Sequence, residues 1–176
     1  MTSNIQDTSG SLWSAAAAEP DWESVYAAQL PRVYNFLRYR LGNEAIAEDL
    51  TSRAFEKAWR DRHRYRRDVA GFSTWLLSIA RNVAVDYHRT AHHHAPLEEA
   101  DDVADAGTPE DVALAQSNFS RLSLLLSKLT ERERELLALK YGAGATNRAI
   151  AQITGLSESI VGTIVHRAVG ALRAQW

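Results

Sequence analysis

The chain has 176 residues, a formal net charge of -2, 45% hydrophobic residues and no cysteine. This allows one domain or two small ones; it excludes disulfides and thiolate metal sites, and a reducing compartment is the simpler expectation. No apolar run approaches a membrane span, and the opening MTSNIQDTSG lacks the basic flank and apolar core of a secretory signal, so a cytoplasmic protein without membrane insertion is expected.

The charge is unevenly placed. Between Asp21 and Arg89 there are 12 basic and 9 acidic residues, and from Lys128 onward 7 and 4. Between Ala91 and Asp111 there are 7 acids and no Lys or Arg. Two mildly basic blocks therefore flank an acidic connector. A phosphate backbone responds to the charge of the block it meets, not to the sum over the chain.

Residues 1–20 are polar and alanine-rich without a period, and read as a disordered tail. Asp21 can cap a helix carrying Trp22, Val25, Tyr26 and Leu30. Pro31 is expected to begin a new helix or to kink this one, because it has no amide to donate. Val33, Phe36, Leu37 and Leu41 follow on one side, and Gly42 can close the helix. Asn43 caps a helix to about Arg60, with Ile46, Ala47, Leu50, Ala54, Ala58 and Trp59 inward. Glu48, Asp49, Ser52, Arg53, Glu56 and Lys57 point largely outward. Such a mixed face is either solvated or a partner's docking surface.

The stretch RDRHRYRRDVAGF, Arg60 to Phe72, interleaves arginines with aromatics. Cations that track phosphates and rings that stack on unpaired bases suit single-stranded nucleic acid. The alternative is a basic surface loop with Tyr65 and Phe72 packed into the core. Ser73 to Arg89 is a strong helical pattern with Trp75, Leu76, Ile79, Ala80, Val83 and Tyr87 in phase. Arg81, Asn82 and Arg89 fall near another face and can contact bases or phosphates. His92, His93 and His94 are adjacent, point in different directions along a helix and do not make a metal site. The acidic stretch to Asp111, with Pro96 and Pro109, reads as a flexible linker. Thr108 or Asp111 can start the next helix, with Val112, Leu114, Phe119, Leu122, Leu125, Leu126 and Leu129 as its stripe.

The last fifty residues read as three helices. Thr130 and Glu133 have the spacing of a capping box ahead of Leu136, Leu137 and Leu139. Gly142 and Gly144 break that helix. Thr146 caps a short helix with Ala149, Ile150 and Ile153 inward, and Gly155 supplies the sharp turn of a helix-turn-helix. Ser157 caps the final helix, with Ile160, Val161, Ile164, Val165, Ala168 and Leu172 on its buried side. Glu158, Ser159, Gly162, Thr163, His166 and Arg167 are left for the outer face, the one that enters the major groove in readers of this type.

Three motifs occur together and in order: AEDLTSRAFEKAW, WLLSIARNVAVDYHR, and, after the acidic connector, LTERERELLALKYGAGATNRAIAQITGLSESIVGTIVHRAVGALR. Together they resemble bacterial sigma factors of the sigma-70 family, extracytoplasmic-function group. The fold this implies is all-α, two small helical domains joined by an acidic flexible linker, the C-terminal one a helix-turn-helix. The expected division is a tail at 1–20, a region 2 domain at 21–90, a linker at 91–111 and a region 4 domain at 112–176.

The resemblance implies roles. Asp49, Leu50, Ser52, Arg53 and Glu56 would dock on the clamp of the polymerase beta-prime subunit. Arg60, Arg62, Arg64, Tyr65, Arg66, Arg67, Phe72, Trp75, Arg81, Asn82 and Arg89 would bind the melted -10 element. Arg148, Ser157, Glu158, Ser159, Gly162, Thr163, His166 and Arg167 would read the -35 element. Expected partners are RNA polymerase core, including the flap of its beta subunit, promoter DNA and an anti-sigma factor. No cofactor, metal or catalytic residue is implied. Off the polymerase, the domains are expected to pack together or on an inhibitor. Two departures stand out. Ser52 replaces a common glutamine. Gly162, Ile164, Val169 and Gly170 replace cations, which predicts a weak or unusual -35 contact. A helix-turn-helix regulator that never joins the polymerase, or a helical protein that sequesters a partner, remains as an alternative.

Overall fold

Residues 22–91 and 109–175 are described in the computed structural model, with side chains for 22–90 and 116–175. The tail, residues 92–108 of the acidic connector with His92 to His94 among them, and Asp21 lie outside them, while the connector's last residues, from Pro109, already belong to a helix. Seven α-helices follow one another: α1 (Trp22–Leu41), α2 (Glu44–Arg60), α3 (Phe72–Ala91), α4 (Pro109–Ser127), α5 (Glu131–Leu137), α6 (Asn147–Thr154) and α7 (Glu158–Arg173). A π-helical turn, Ala138–Gly142, extends α5.

Local chemistry sets most boundaries. Gly42 adopts φ 70°, the left-handed conformation in which a side chain would be strained, and so ends α1. The Asn43 side chain accepts from the Ile46 amide at 2.9 Å and starts α2. Thr130 and Glu133 form the full capping box of α5. The Thr146 and Ser157 hydroxyls accept from the amides of Ala149 and Ile160 to start α6 and α7. Gly155, at φ 76°, makes the turn between them.

Of the two expectations for Pro31, a new helix start is not met. The residue neither starts a helix nor ends one, and α1 runs through it unbroken to Leu41. Its ring is exposed, while Val33, Phe36 and Leu37 beyond it are fully buried. Packing of that apolar face overrides the local preference of one residue.

The first unit is α1, α2 and α3 packed on one another, with Leu50, Leu76 and Leu77 fully buried among them. The second is α5, α6 and α7, centred on Leu136, Leu139, Ile150 and Val161. The units also share a core. The turn Ala138–Gly142 lies against α1, and α6 lies against α3. Phe119 of α4 rests on α1, its ring 6.0 Å from Tyr39 and 3.7 Å from the Arg38 guanidinium.

Candidate nucleic-acid interface

Helix α2 presents one of three surfaces. Its first turn is held by the Asn43 cap and by an ion pair between Arg38 and Glu44. Asp49, Ser52, Arg53 and Glu56 are exposed, as the helical phase predicts. Asp49 pairs with Arg53 at 2.9 Å, and Glu56 with Arg60 at 2.7 Å. Such exposed pairs contribute about 0.3–0.5 kcal/mol each and exchange readily for a partner's charges. Leu50 corrects the expected set. It is fully buried, so it supports this face from beneath and cannot touch a partner. Phe55, which the sequence reading left unassigned, is buried too, and Trp59 is 48% exposed where an inward position was expected.

The second surface is the loop from α2 to α3 with the outer side of α3. Arg62, Arg64, Arg66 and Arg67 are all exposed. Arg62 donates to the Trp59 carbonyl at 2.9 Å, and its guanidinium lies 4.3 Å above the Trp59 ring. Arg66 donates to Asp68 at 2.7 Å, a bond that holds the Asp68 carboxyl below its ordinary range. Tyr65, Phe72 and Trp75 form a ring cluster with centroids 5.2–5.4 Å apart.

Phe72 is buried in that cluster, which removes it from direct base contact. Trp75 is half-buried. Burial also raises the Tyr65 phenol, with Arg67 opposing in part. The aromatics expected as stacking faces are thus the floor of the loop, and Trp59 with Arg62 is the open aromatic pair that periodicity had turned inward. An open groove of about 530 Å³ joins the surfaces of α2 and α3, lined by Arg53, Lys57, Arg60, Asp86 and Tyr87 among others.

On α3, Asn82 and Arg89 are exposed, the latter 3.3 Å from Asp86. Arg81 is not free. Its Nε donates to Glu135 Oε1 at 3.0 Å, and its Nη2 to Oε2 at 3.4 Å, across to α5. Arg40 of α1 also pairs with Glu135, and is 2% exposed. Neither Arg40 nor Glu135 entered the sequence-based site, though both carry a signal. Arg40 is in helical phase with Phe36 and Leu37, and Glu135 with Leu139. A charge on an apolar stripe needs a partner.

The third surface is the helix-turn-helix α6–α7. Arg148, Glu158, Ser159, Thr163, His166 and Arg167 are exposed on it. The Ser157 hydroxyl is engaged as the α7 cap. Gly162 is half-buried, and a Cβ there would meet Asn147 of α6 at an ordinary 3.5 Å. Arg167 lies 3.7 Å from Glu133. Ile160, expected inward, is 48% exposed and adds an apolar contact to this face. Among the described residues no three His, Cys, Asp or Glu side chains come together as a metal site.

Comparison with known proteins decides the family. Residues 25–94 match the model of sigma-70 region 2 and residues 125–174 that of sigma-70 region 4. The RNA polymerase sigma factor CarQ of Myxococcus xanthus is 33% identical over 159 residues, covering 89% of each chain. The chain belongs to the sigma-70 family of RNA polymerase sigma factors. Its group is the extracytoplasmic-function one: the ECF RNA polymerase sigma factor BldN of Streptomyces coelicolor is 29% identical over 163 residues, or 90% of this chain. This sigma factor spans only 61% of the length of BldN. Its fold is similar to that of CnrH, solved in complex with the cytosolic domain of CnrY, with a TM-score of 0.68, 21% identity, and coverage of 88% and 86% of the two chains.

Proposed function

We propose that this sigma factor joins RNA polymerase core, recognises a two-part promoter and melts its upstream element to start transcription. The single observation that carries this is the pairing of two different surfaces in one chain. An exposed loop with four arginines sits on an aromatic floor, and a capped helix-turn-helix follows. A regulator that reads only duplex DNA has no use for the first.

The division of labour follows from the chemistry. Asp49, Ser52, Arg53 and Glu56 offer the clamp of the beta-prime subunit a rigid polar face, backed by the fully buried Leu50. Arg60, Arg62, Arg64, Arg66, Arg67, Asn82 and Arg89, with Tyr65 and Trp75 behind the loop, take the unpaired strand. Interactions made only with unpaired bases are what offset the cost of melting. Arg148, Ser159, Thr163, His166 and Arg167 face the major groove of the -35 element, and the beta flap holds the second unit near it. The acidic connector spans the two units along the RNA exit path. The boundaries at 1–20, 21–90, 91–111 and 112–176 express this division. The protein works in the cytoplasm, contributes recognition while nucleotide addition belongs to the polymerase, and is held in check by an anti-sigma factor. The likeness in fold to the sigma factor RpoE of Bartonella quintana, solved in complex with the anti-sigma factor NepR, motivates the last point.

The test is reconstitution with sigma-free core and run-off transcription on a fragmented genomic library. Discrete promoter-dependent transcripts are expected, and they disappear when the Asp49 face is charge-reversed. Specific binding to duplex DNA without core binding would transfer the case to a stand-alone regulator.

A further inference from the structure

Buried charge between the two units has no place in promoter reading. Arg40 has a side chain 3% exposed and Glu135 one 9% exposed, yet the two are ion-paired across the joint. Arg81 closes on the same carboxylate with two hydrogen bonds, and Glu131 reaches Arg40 Nη2 at 3.4 Å. Two guanidiniums and two carboxylates thus balance, with Arg40 and Glu135 buried at the centre and Arg81 and Glu131 at the wetter rim. Close beside them, Arg32 Nε donates to the Ala143 carbonyl at 2.8 Å. Gly142 meets α1 so closely that a Cβ would stand 2.8 Å from the Tyr39 ring and 2.9 Å from the Asn35 carbonyl oxygen. Both obstructing atoms belong to α1, so this glycine is required by the joint and not by its own helix.

We propose that Glu135 is the bolt of an internal latch. It occupies the Arg81 guanidinium that would otherwise be offered to a promoter phosphate, and so ties release of that cation to separation of the two units. The inference rests on the sigma-factor reading of α3 and goes beyond it by naming the contact that sets the closed state. A carboxylate and a phosphate compete for the same two-pronged donor. Neither can be bound while the other is. A buried pair is also poorly divisible, because removing one partner leaves the other charge uncompensated. The joint therefore opens as a unit, with Arg40, Arg81 and the Arg32–Ala143 bond released together. A polymerase or promoter that binds only the open form works against this latch, and its apparent affinity is reduced by the open fraction.

The absence of cysteine makes the test direct. Ala28→Cys on α1 and Ala171→Cys on α7, both at exposed positions, take a donor and an acceptor dye. Energy transfer in the free protein then reports closure independently of polymerase. Glu135→Gln removes the bolt. Gly142→Ala wedges the joint without touching an ion. Both variants are expected to lose energy transfer while keeping their helical circular dichroism, and to bind core polymerase on the order of tenfold more tightly. If Glu135→Gln loses helix content, Gly142→Ala decides. Unchanged transfer in both variants overturns the latch. Lost transfer with unchanged core affinity overturns its regulatory role. Failure of every form to bind core, the parent included, sinks the polymerase reading instead, and the transfer signal still reports whether Glu135 holds the joint.

Discussion

The loop between α2 and α3 and the helix α7 are the two surfaces proposed to meet nucleic acid, and they are built on opposite plans. The loop concentrates Arg62, Arg64, Arg66 and Arg67 on a fixed aromatic floor. Its Arg66–Asp68 pair is exposed and its Arg64–Asp61 pair is long, at 3.9 Å, so a phosphate can replace the carboxylate at little cost. Helix α7 has His166 and Arg167 on its exposed face and carries the uncharged Gly162, Ile164, Val169 and Gly170 along its length. Arg167 itself is drawn toward Glu133. Under the proposed function the first surface would hold a flexible strand by charge. The second would present shape and a few donors to a duplex that something else has already brought close. In a bipartite reader, affinity need not be shared equally, because one unit anchored on the polymerase raises the effective concentration of the other.

The largest expected effect breaks the first surface. Replacing Arg62, Arg64, Arg66 and Arg67 together by alanine removes up to four phosphate partners. The salt dependence of single-strand binding should flatten by roughly 0.7 per lost contact. Promoter-dependent transcription should fall by on the order of a hundredfold while core binding persists. Filter binding to forked promoter DNA across a salt series checks it, and an unchanged slope would remove the loop from the strand path. Next in size is Leu50→Ala, which separates support from contact. A fully buried leucine replaced by alanine costs about 2–5 kcal/mol. Thermal unfolding and core affinity should both suffer, whereas Ser52→Ala on the exposed face should leave the melting temperature where it was.

The same comparison is sharpened on the other side by Gly162→Lys. The position has room for a Cβ, with Asn147 at an ordinary 3.5 Å. A lysine there restores one cation and gains helix propensity of about 1 kcal/mol at most. Duplex binding should tighten several-fold, with the salt slope steeper by about 0.9. A promoter mutation scan of the parent should show greater sensitivity in the -10 than in the -35 element, and the variant should narrow that gap. Equal sensitivity in the parent sinks the view of α7 as the lighter reader.

What the sequence disclosed divides along the same physical line. The caps at Asn43, Thr130, Thr146 and Ser157 and the turn at Gly155 were legible because each is decided within about four residues. The exposed faces of α2 and α7 followed from helical phase, with Trp59 and Ile160 as the residues that phase misplaced, while Leu50 lies inward as phase placed it and only the family resemblance had set it on the docking face. Phase also hid Phe55, Leu77 and Ala84, since a helix covered on two sides buries more than one stripe. The Arg40–Glu135–Arg81 cluster was out of reach for a different reason. Its members are 95 and 54 residues apart, and only the packing of two units brings them together. The aromatic floor lies between these cases: RDRHRYRRDVAGF named its residues, and the choice between a stacking face and a buried cluster needed Trp22 and Trp75 in place.

The smallest predicted effect tests the second unit alone. Thr130 Oγ1 and the Thr130 amide both donate to Glu133 Oε2, at 2.8 and 3.0 Å, and the Glu133 amide donates back to Thr130 Oγ1 at 3.3 Å. These bonds favour the ionised carboxylate and lower the Glu133 pKa from its ordinary 4.5, the Thr130 hydroxyl being the leading cause. A lowered folded value means that the contribution is fully present above the ordinary glutamate range and disappears as pH falls through the folded value. Thr130→Ala should therefore cost about 1 kcal/mol at neutral pH, with the difference from the parent shrinking in acid. Urea denaturation from pH 7 down to pH 3 reads this directly. A penalty that stays constant across that range would mean that the cap acts through the Thr130 hydroxyl and the Glu133 amide alone, with the carboxylate adding nothing. Because the cap's bonds join only Thr130 and Glu133, strand binding by the first unit should be unmoved at neutral pH. That independence is the same separation of anchor and reader seen in the two surfaces.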